Sequence, residues 1–483
     1  MFGEVFERPL FRPAFNVGGM LDVPTGKYEL GKHGESIMNG GIASMTGFVS
    51  RPNNFKTALA VFVSAMIRRV CNESDNVVYD SEGTFSPISR YSTACKGYHF
   101  IENIDWEYDE HFHFTDISRL AGDEFFKVFM TKLKDKYDHK KWMRTTPFID
   151  KEGKPKRSLY PTTGVIDSFS KLQVTAVLEQ YDKNKMGDSK NTTGEMNTGR
   201  AKNELFNQLP QLCARTGTYL ILTAHVKDKI EMDQYAPDKR NLASMKQNTV
   251  IGGASGMYSL PNNVWAITAN KHMLKDKMPI YPLDNKTAME GDTDLRELTV
   301  ENWRGKNGIT GLPMTLIVSQ TEGYQPSLSE FHYVKENGFG IGGNQQFYHI
   351  ELQPETKLSR TTVRKKIKED AKLRRALEIQ SEMLQLIQFH RVDPENVFTD
   401  PKSLYEDLIK LGYDWDVLLD TRGYWVFEED EKHHPQQFLS TMDLLRMRRG
   451  LYVPWWLPKE KQAEIKVNIG KMVTEAEKPA KAS

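Results

Sequence analysis

Cysteine is nearly absent: among 483 residues only Cys71, Cys95 and Cys213 occur. Their odd number and their spacing suit neither a disulfide-built scaffold nor a cysteine metal site, and they fit a reducing compartment. An excess of charge is also lacking, since Lys+Arg 65 against Asp+Glu 64 leaves +1. No global field then drives binding to nucleic acid, and any such binding must come from local patches. Mean hydropathy is −0.57, and no apolar run reaches the ~18 residues of a membrane-spanning helix. The opening MFGEVFERPLFRPAF has acids and arginines spread through it where a secretory signal needs an apolar stretch. No segment repeats at a fixed period, which excludes solenoids and propellers. The expectation is a cytoplasmic protein without membrane contact.

What is present is an ordinary globular composition, 39% hydrophobic and 27% charged. At ~150 residues per domain the length predicts two to four domains. From about residue 41, short apolar strands alternate with helical stretches. Ile42–Val49, Val77–Tyr79, Val165–Ile166, Tyr219–Ala224, Val264–Ala269 and Met314–Ser319 read as strands, and Thr57–Val70 as a buried helix. That alternation predicts an α/β layer architecture with a mainly parallel sheet flanked by helices. Residues 1–40 form an N-terminal segment, 41–345 the core, 346–470 a smaller, mostly helical domain, and 471–483 a disordered tail. Within the core, a basic insert near 99–160 holds eleven basic residues between Lys127 and Arg157 against four acids, a local excess of seven. Polar, glycine-containing stretches at 182–202 and 227–256 are too long for simple connections.

SRPNNFKT (50–57) follows a strand and precedes the apolar helix. Handling a nucleotide phosphate needs backbone N–H groups around it, a lysine at the β/γ-oxygens and a hydroxyl on Mg²⁺. Lys56 and Thr57 supply the last two. The usual pattern is G-x-x-x-x-G-K-S/T, and here Ser50 and Phe55 stand at the glycine positions, so a polar turn capping a buried helix is the alternative. VVYDSEG (77–83) places Glu82 just past a strand, and GVIDSFSKL (164–172) places Asp167 at the end of another. An acid ending a buried strand is costly without polar work to do, and in an α/β sheet that rim is the ligand crevice. Asp167 is read as part of the Mg²⁺ shell and Glu82 as general base for an attacking water. Each acid alone could instead cap a helix.

In this order the motifs resemble the RecA-type recombinases, particularly the phage-encoded UvsX-like branch, from about Gly41 to Asn344. The resemblance implies a RecA-like P-loop ATPase core that uses ATP and Mg²⁺ and, if phage-encoded, works in the host cytoplasm. It implies that Ser50, Arg51, Pro52, Asn53, Asn54, Phe55, Lys56 and Thr57, with Asp167, hold the nucleotide, and that Glu82 is catalytic. LILTAHV (220–226) puts His225 where the family usually has a glutamine that senses the γ-phosphate. VIGGASGMYSLPNNVWAI (250–267) looks like the family's second DNA-binding loop. Lys227, Lys229, Lys239, Arg240 and Lys246 are then offered to phosphates. Gly252, Gly253 and Gly256 would bring backbone close to DNA, with Met257 or Tyr258 wedging or stacking against bases. Arg304 and Lys306 in VENWRGKNG (300–308) are similar in place to cations that reach a neighbouring subunit's γ-phosphate. For these the alternatives are a surface loop without ligand and a plain charged hairpin.

Four further signals are weaker. FRPA (11–14) fits a pattern that docks one protomer on the next. His111 and His113 share a strand face without an evident third metal ligand. The basic stretch 358–377 suits either a DNA-facing helix or a charged cover on the core. YVPWWLP (452–458) reads as a packing anchor. The function expected is a DNA-dependent ATPase that forms filaments on single-stranded DNA and promotes homologous pairing with duplex DNA. A DnaB-like hexameric helicase motor and a hydrolysis-impaired nucleotide-binding assembly protein are the alternatives.

Overall fold

Five of the apolar runs and the segment Phe112–Asp116 form six strands that lie side by side and parallel, while the sixth run, Met314–Ser319, joins the sheet antiparallel. In chain order the six parallel strands are β1 (Met45–Ser50), β2 (Asp75–Asp80), β3 (Phe112–Asp116), β4 (Thr162–Asp167), β5 (Thr218–Asp228) and β6 (Asn263–His272). In space the order is β3-β2-β4-β5-β1-β6. Antiparallel strands β7 (Leu295–Gly305), β8 (Pro313–Ser319) and β9 (Gly323–Tyr324) extend the sheet beyond β6. The short strand Thr249–Ile251 pairs antiparallel with the end of β5. The computed structural model describes residues 10–476 apart from 84–85, 99, 117–121, 138–139, 173–174, 176–188, 230–239, 254, 307–309, 345, 391–392 and 394. Among the described residues no helix is long and apolar enough to cross a membrane. The expected mainly parallel α/β sheet flanked by helices is present.

The central strands are buried on both faces, so alternate residues enter two separate apolar cores. Phe48, Val78, Val165, Ile221 and Trp265 point to one face, where helix α1 (Lys56–Val70) lies buried along most of its length. Met45, Val49, Ile166, Leu220, Leu222 and Ala266 point to the other. That second face is covered by helices α2 (Gly122–Tyr137) and α3 (Ser189–Thr216), through Phe129, Leu133, Phe206 and Leu209. The α1-side core does not stop at the sheet. It continues through α4 (Pro326–Glu336) and α5 (Ala371–Gln385) to Trp425, Leu444 and Ile465. Helices after residue 345 therefore share a core with α1. The last helix, Lys459–Ala476, runs six residues into the stretch expected to be a disordered tail.

Segments expected to face partners are engaged within the chain. Phe11 of FRPA packs edge-on against Phe148 at 5.0 Å, and the Pro13 and Ala14 carbonyls accept from Tyr219 and Trp425. In the basic insert, the hairpin of Met143–Ile149 and Pro155–Leu159 ties that N-terminal segment down through a Lys156–Glu29 ion pair of 2.6 Å. Along 358–377, Arg364 makes a bidentate pair with Asp294 at 2.7 and 3.0 Å, Lys372 meets Asp416 and Arg375 meets Glu378. These pairs fit the reading of a charged cover on the core. His111 and His113 both turn toward Asp75, and the described residues hold no group of three or more His, Cys, Asp or Glu that could hold a metal ion.

Candidate functional site

Parallel strands bring their C-terminal ends to one rim. Ser50 pairs with His225 across β1 and β5, and Asp80 with Asp167 across β2 and β4. Because β5 lies between β1 and β4, His225 sits between the phosphate-type loop and the carboxylate.

From β1 the chain turns through Arg51–Phe55 into α1. Two residues of the turn are left-handed, Asn53 at φ 60° and Phe55 at φ 59°. Asparagine visits that region readily, whereas a phenylalanine pays roughly 1–2 kcal/mol to do so. The loop thus keeps the curvature a glycine would give, and the Phe55 side chain packs against the α1-side core. Two further contacts brace it. Asn270 of β6 donates to Asn54 Oδ1 at 3.1 Å and to the Asn53 carbonyl at 3.4 Å, and is itself held by Arg296 at 2.8 Å. Arg51 pairs with Asp228 at 2.8 Å on the surface. Lys56, the first residue of α1, is largely buried, and its amine has no hydrogen-bond partner among the described residues.

Thr57 Oγ1 donates to one oxygen of Asp167 at 2.5 Å, and Thr223 donates to the other. A carboxylate and a hydroxyl meeting beside a helix N-terminus form a hard-oxygen donor set. It suits Mg²⁺, which takes one or two protein oxygens and fills its shell with water and phosphate. Glu82 sits on a turn in which Asp80 accepts the N–H groups of Glu82 and Gly83 at 2.9 and 3.1 Å. Its Oε1 meets His225 Nε2 at 3.1 Å and accepts from Ser168 Oγ at 3.0 Å. Burial pushes the Glu82 carboxyl up, but the bonds from His225 and Ser168 and the charge of Lys56 outweigh it, and its pKa lies below the ordinary value. It is therefore an ionised acceptor at neutral pH. Ser81 locks this corner, accepting the Ser168 N–H at 2.9 Å and donating to its carbonyl at 2.8 Å. Asp167, Glu82, Lys56, Thr57 and His225 thus stand together, with Thr223, Ser81, Ser168 and Asn270 as partners to which the motif reading gave no role.

Other expected residues are placed differently. Arg304 donates to the carbonyls of Tyr258, Ser259 and Pro261 at 3.2, 2.7 and 2.8 Å, so its guanidinium is fixed inside its own chain. Lys306, just beyond β7, is exposed, as are Lys227, Lys229, Arg240 and Lys246, while Lys239 lies outside the described residues. Met257 is fully buried and Tyr258 half-buried, its hydroxyl accepting the Ile251 N–H at 2.6 Å, so Met257 is not available as a wedge. The glycines admit the protein's own core. A Cβ on Gly256 would lie 2.5 Å from Phe206, and Gly253, at φ 111°, would meet Phe169 at 3.0 Å.

No protein-family model matches the sequence, and no curated protein matches it. One match among solved structures is the crystal structure of the RadB recombinase, at 14% identity and a TM-score of 0.30, covering 59% of this chain and 92% of that chain. At that score the likeness carries no argument for function, which rests on the rim itself.

Proposed function

We propose that this chain is an ATP-dependent DNA recombinase, a DNA-dependent ATPase that assembles on single-stranded DNA and promotes pairing with homologous duplex DNA. The observation that carries the reading is the convergence of Lys56, Thr57, Glu82, Asp167 and His225 at one sheet rim. Lys56 and the N-terminal amides of α1 face the phosphates. Thr57 and Asp167 would hold Mg²⁺, which when bound neutralises charge on the phosphate oxygens. Glu82, ionised and turned toward the same space, orients a water and takes its proton. His225 shares Glu82 Oε1, so a γ-phosphate arriving between them exchanges that contact for its own. With Arg304 engaged at home, Lys306 is the cation left to reach a neighbouring protomer. Lys227, Lys229, Arg240 and Lys246 supply phosphate contacts whose strength falls with salt.

A DnaB-like ring motor would use the same rim. The hydrolysis-impaired scaffold is suggested by Phe55 and Ser50 at the glycine positions, and the left-handed turn at Phe55 speaks against it for that residue. Electron microscopy with single-stranded DNA and a non-hydrolysable ATP analogue separates these readings. Open helical filaments are expected, and closed rings would transfer the reading to a helicase. ATP bound without any DNA-stimulated phosphate release would restore the scaffold.

A further inference from the structure

Strand β6 carries an extra residue at the level of the phosphate-type loop. Ile267 pairs with Val300 of β7 and Ala269 with Thr299, so Thr268 has no counterpart on β7 and bulges. Asn270 then pairs with Leu298, and both Leu298 and Val300 belong to the α1-side core. Strand residues alternate between faces, so a regular strand with Ile267 on that side would send residue 270 to the other. The bulge returns Asn270 to the α1 side, where the loop crosses, and bulges re-aim side chains in this way. Arg296, two residues before Leu298 on β7, lies on the same side, and its Nε donates to Asn270 Oδ1 at 2.8 Å. That bond fixes the sense of the amide: the oxygen is taken, and Nδ2 faces the loop. There it donates to Asn54 Oδ1 at 3.1 Å and to the Asn53 carbonyl at 3.4 Å. Asn54 is the residue between the two left-handed positions, Asn53 and Phe55.

We propose that Asn270 and Arg296 are positioning residues for nucleotide binding, a brace from the neighbouring strands that holds the phosphate-type loop in the curvature a glycine at position 55 would supply. A glycine enters the left-handed region freely, and a phenylalanine resists it. Unbraced, Phe55 would relax toward commoner backbone angles and swing the loop amides away from the phosphates. The Asn270 amide opposes that motion by tying down both the backbone and the side chain of the turn just before Phe55. Only a donor can do this, since both of its loop partners are acceptors. A loop that reaches its binding arrangement for a fraction of the time binds more weakly by that fraction. The brace therefore acts on affinity for the phosphates, and it is needed because residue 55 carries a side chain. This inference rests on the nucleotide-binding part of the reading above and not on its DNA part.

A double-mutant cycle in the full chain tests the brace, with a fluorescent ATP analogue reading affinity. Asn270→Ala should weaken binding by about tenfold, the size of a left-handed penalty at a residue with a side chain. Arg296→Met, which frees the amide to turn over, should act in the same direction with a smaller loss. In a Phe55→Gly background, Asn270→Ala should cost less than about twofold, because a glycine leaves the brace nothing to oppose. Equal losses in both backgrounds would make Asn270 a plain structural residue and overturn the proposal. The second arm needs no nucleotide: hydrogen exchange of a peptide covering 50–58 should rise in Asn270→Ala. If that rise is seen in a chain whose wild type binds no ATP analogue, the nucleotide reading fails and the brace stands. Unchanged exchange in Asn270→Ala overturns the brace whatever the chain binds.

Discussion

On one face of the sheet, α1 lies in a core that runs without a break into the C-terminal helices; on the other, α2 and α3 cover a smaller core that borders Gly253 and Gly256. The first face is fastened at every end, by the N-terminal segment, by the hairpin at 143–159 and by ion pairs such as Arg364–Asp294. The second meets the rim through small groups, Ser168, Ser170, Gly252, Gly253 and Asn203. The first face backs the rim with bulk, and the second backs it with hydrogen bonds between small groups. The rim belongs to both, since Lys56 starts the helix of one face and Ser168 begins the turn on the other.

Changes at the rim should separate chemistry from stability most strongly. Lys56→Ala is expected to abolish nucleotide binding, read with a fluorescent ATP analogue, while leaving Tm within a degree or two of wild type. A collapse of Tm would make Lys56 a structural residue. Glu82→Gln should retain ATP and DNA binding and lower phosphate release by about 10²–10⁴-fold, the usual contribution of a general base. Retained turnover would mean the base lies elsewhere. On the scaffold side, Phe62→Ala in α1 should cost about 3–5 kcal/mol of stability, as large aromatic truncations in a core do. Chemical denaturation gives that value, and a loss as small as that of a surface change would contradict the packing described.

The smallest effect tests the buried acids of the fastened face. Asp22 is pushed up to about 7 and Glu382 to about 8, by burial foremost and by the charge of Glu378. The folded chain holds these protons more tightly than the unfolded one, so their contribution to stability falls as pH rises through 7 and 8. Lys136, pushed down to about 7 by burial, acts in the opposite sense, so the measurement must be a difference. Asp22→Asn loses one acceptor for the Val17 and Gly18 N–H groups and should be slightly less stable than wild type in mild acid. Above pH 8 the gap should close or reverse. A gap that stays constant across that range would show that Asp22 does not ionise there.

Strands β1, β4 and β5 and helix α1 were legible because uninterrupted apolar runs leave few other ways to be buried. Lys56, Thr57, Glu82 and Asp167 were legible because a charged or hydroxyl group at the end of such a run has little structural reason to be there. Thr223 was not, since a threonine inside a strand looks like any other strand residue until Asp167, 56 positions away, turns to meet it. Asn270 was hidden for the same reason, its partner Asn54 being 216 positions distant. Glycines misled in one respect. Gly253 and Gly256 signal close approach, but the sequence does not say to what, and here it is Phe169 and Phe206. Arg304 and the basic stretch at 358–377 admit two readings each in the sequence because their carbonyl and carboxylate partners come from elsewhere in the chain.

The unbroken core beneath α1 has a practical corollary. A shortened chain ending near residue 345 would uncover Leu328, Phe331 and Val334, which are sealed by α5 and its neighbours. Such a fragment would present a broad greasy surface to solvent and would be expected to clump. Trimming this protein to its sheet-bearing part is therefore a poor route to a working miniature.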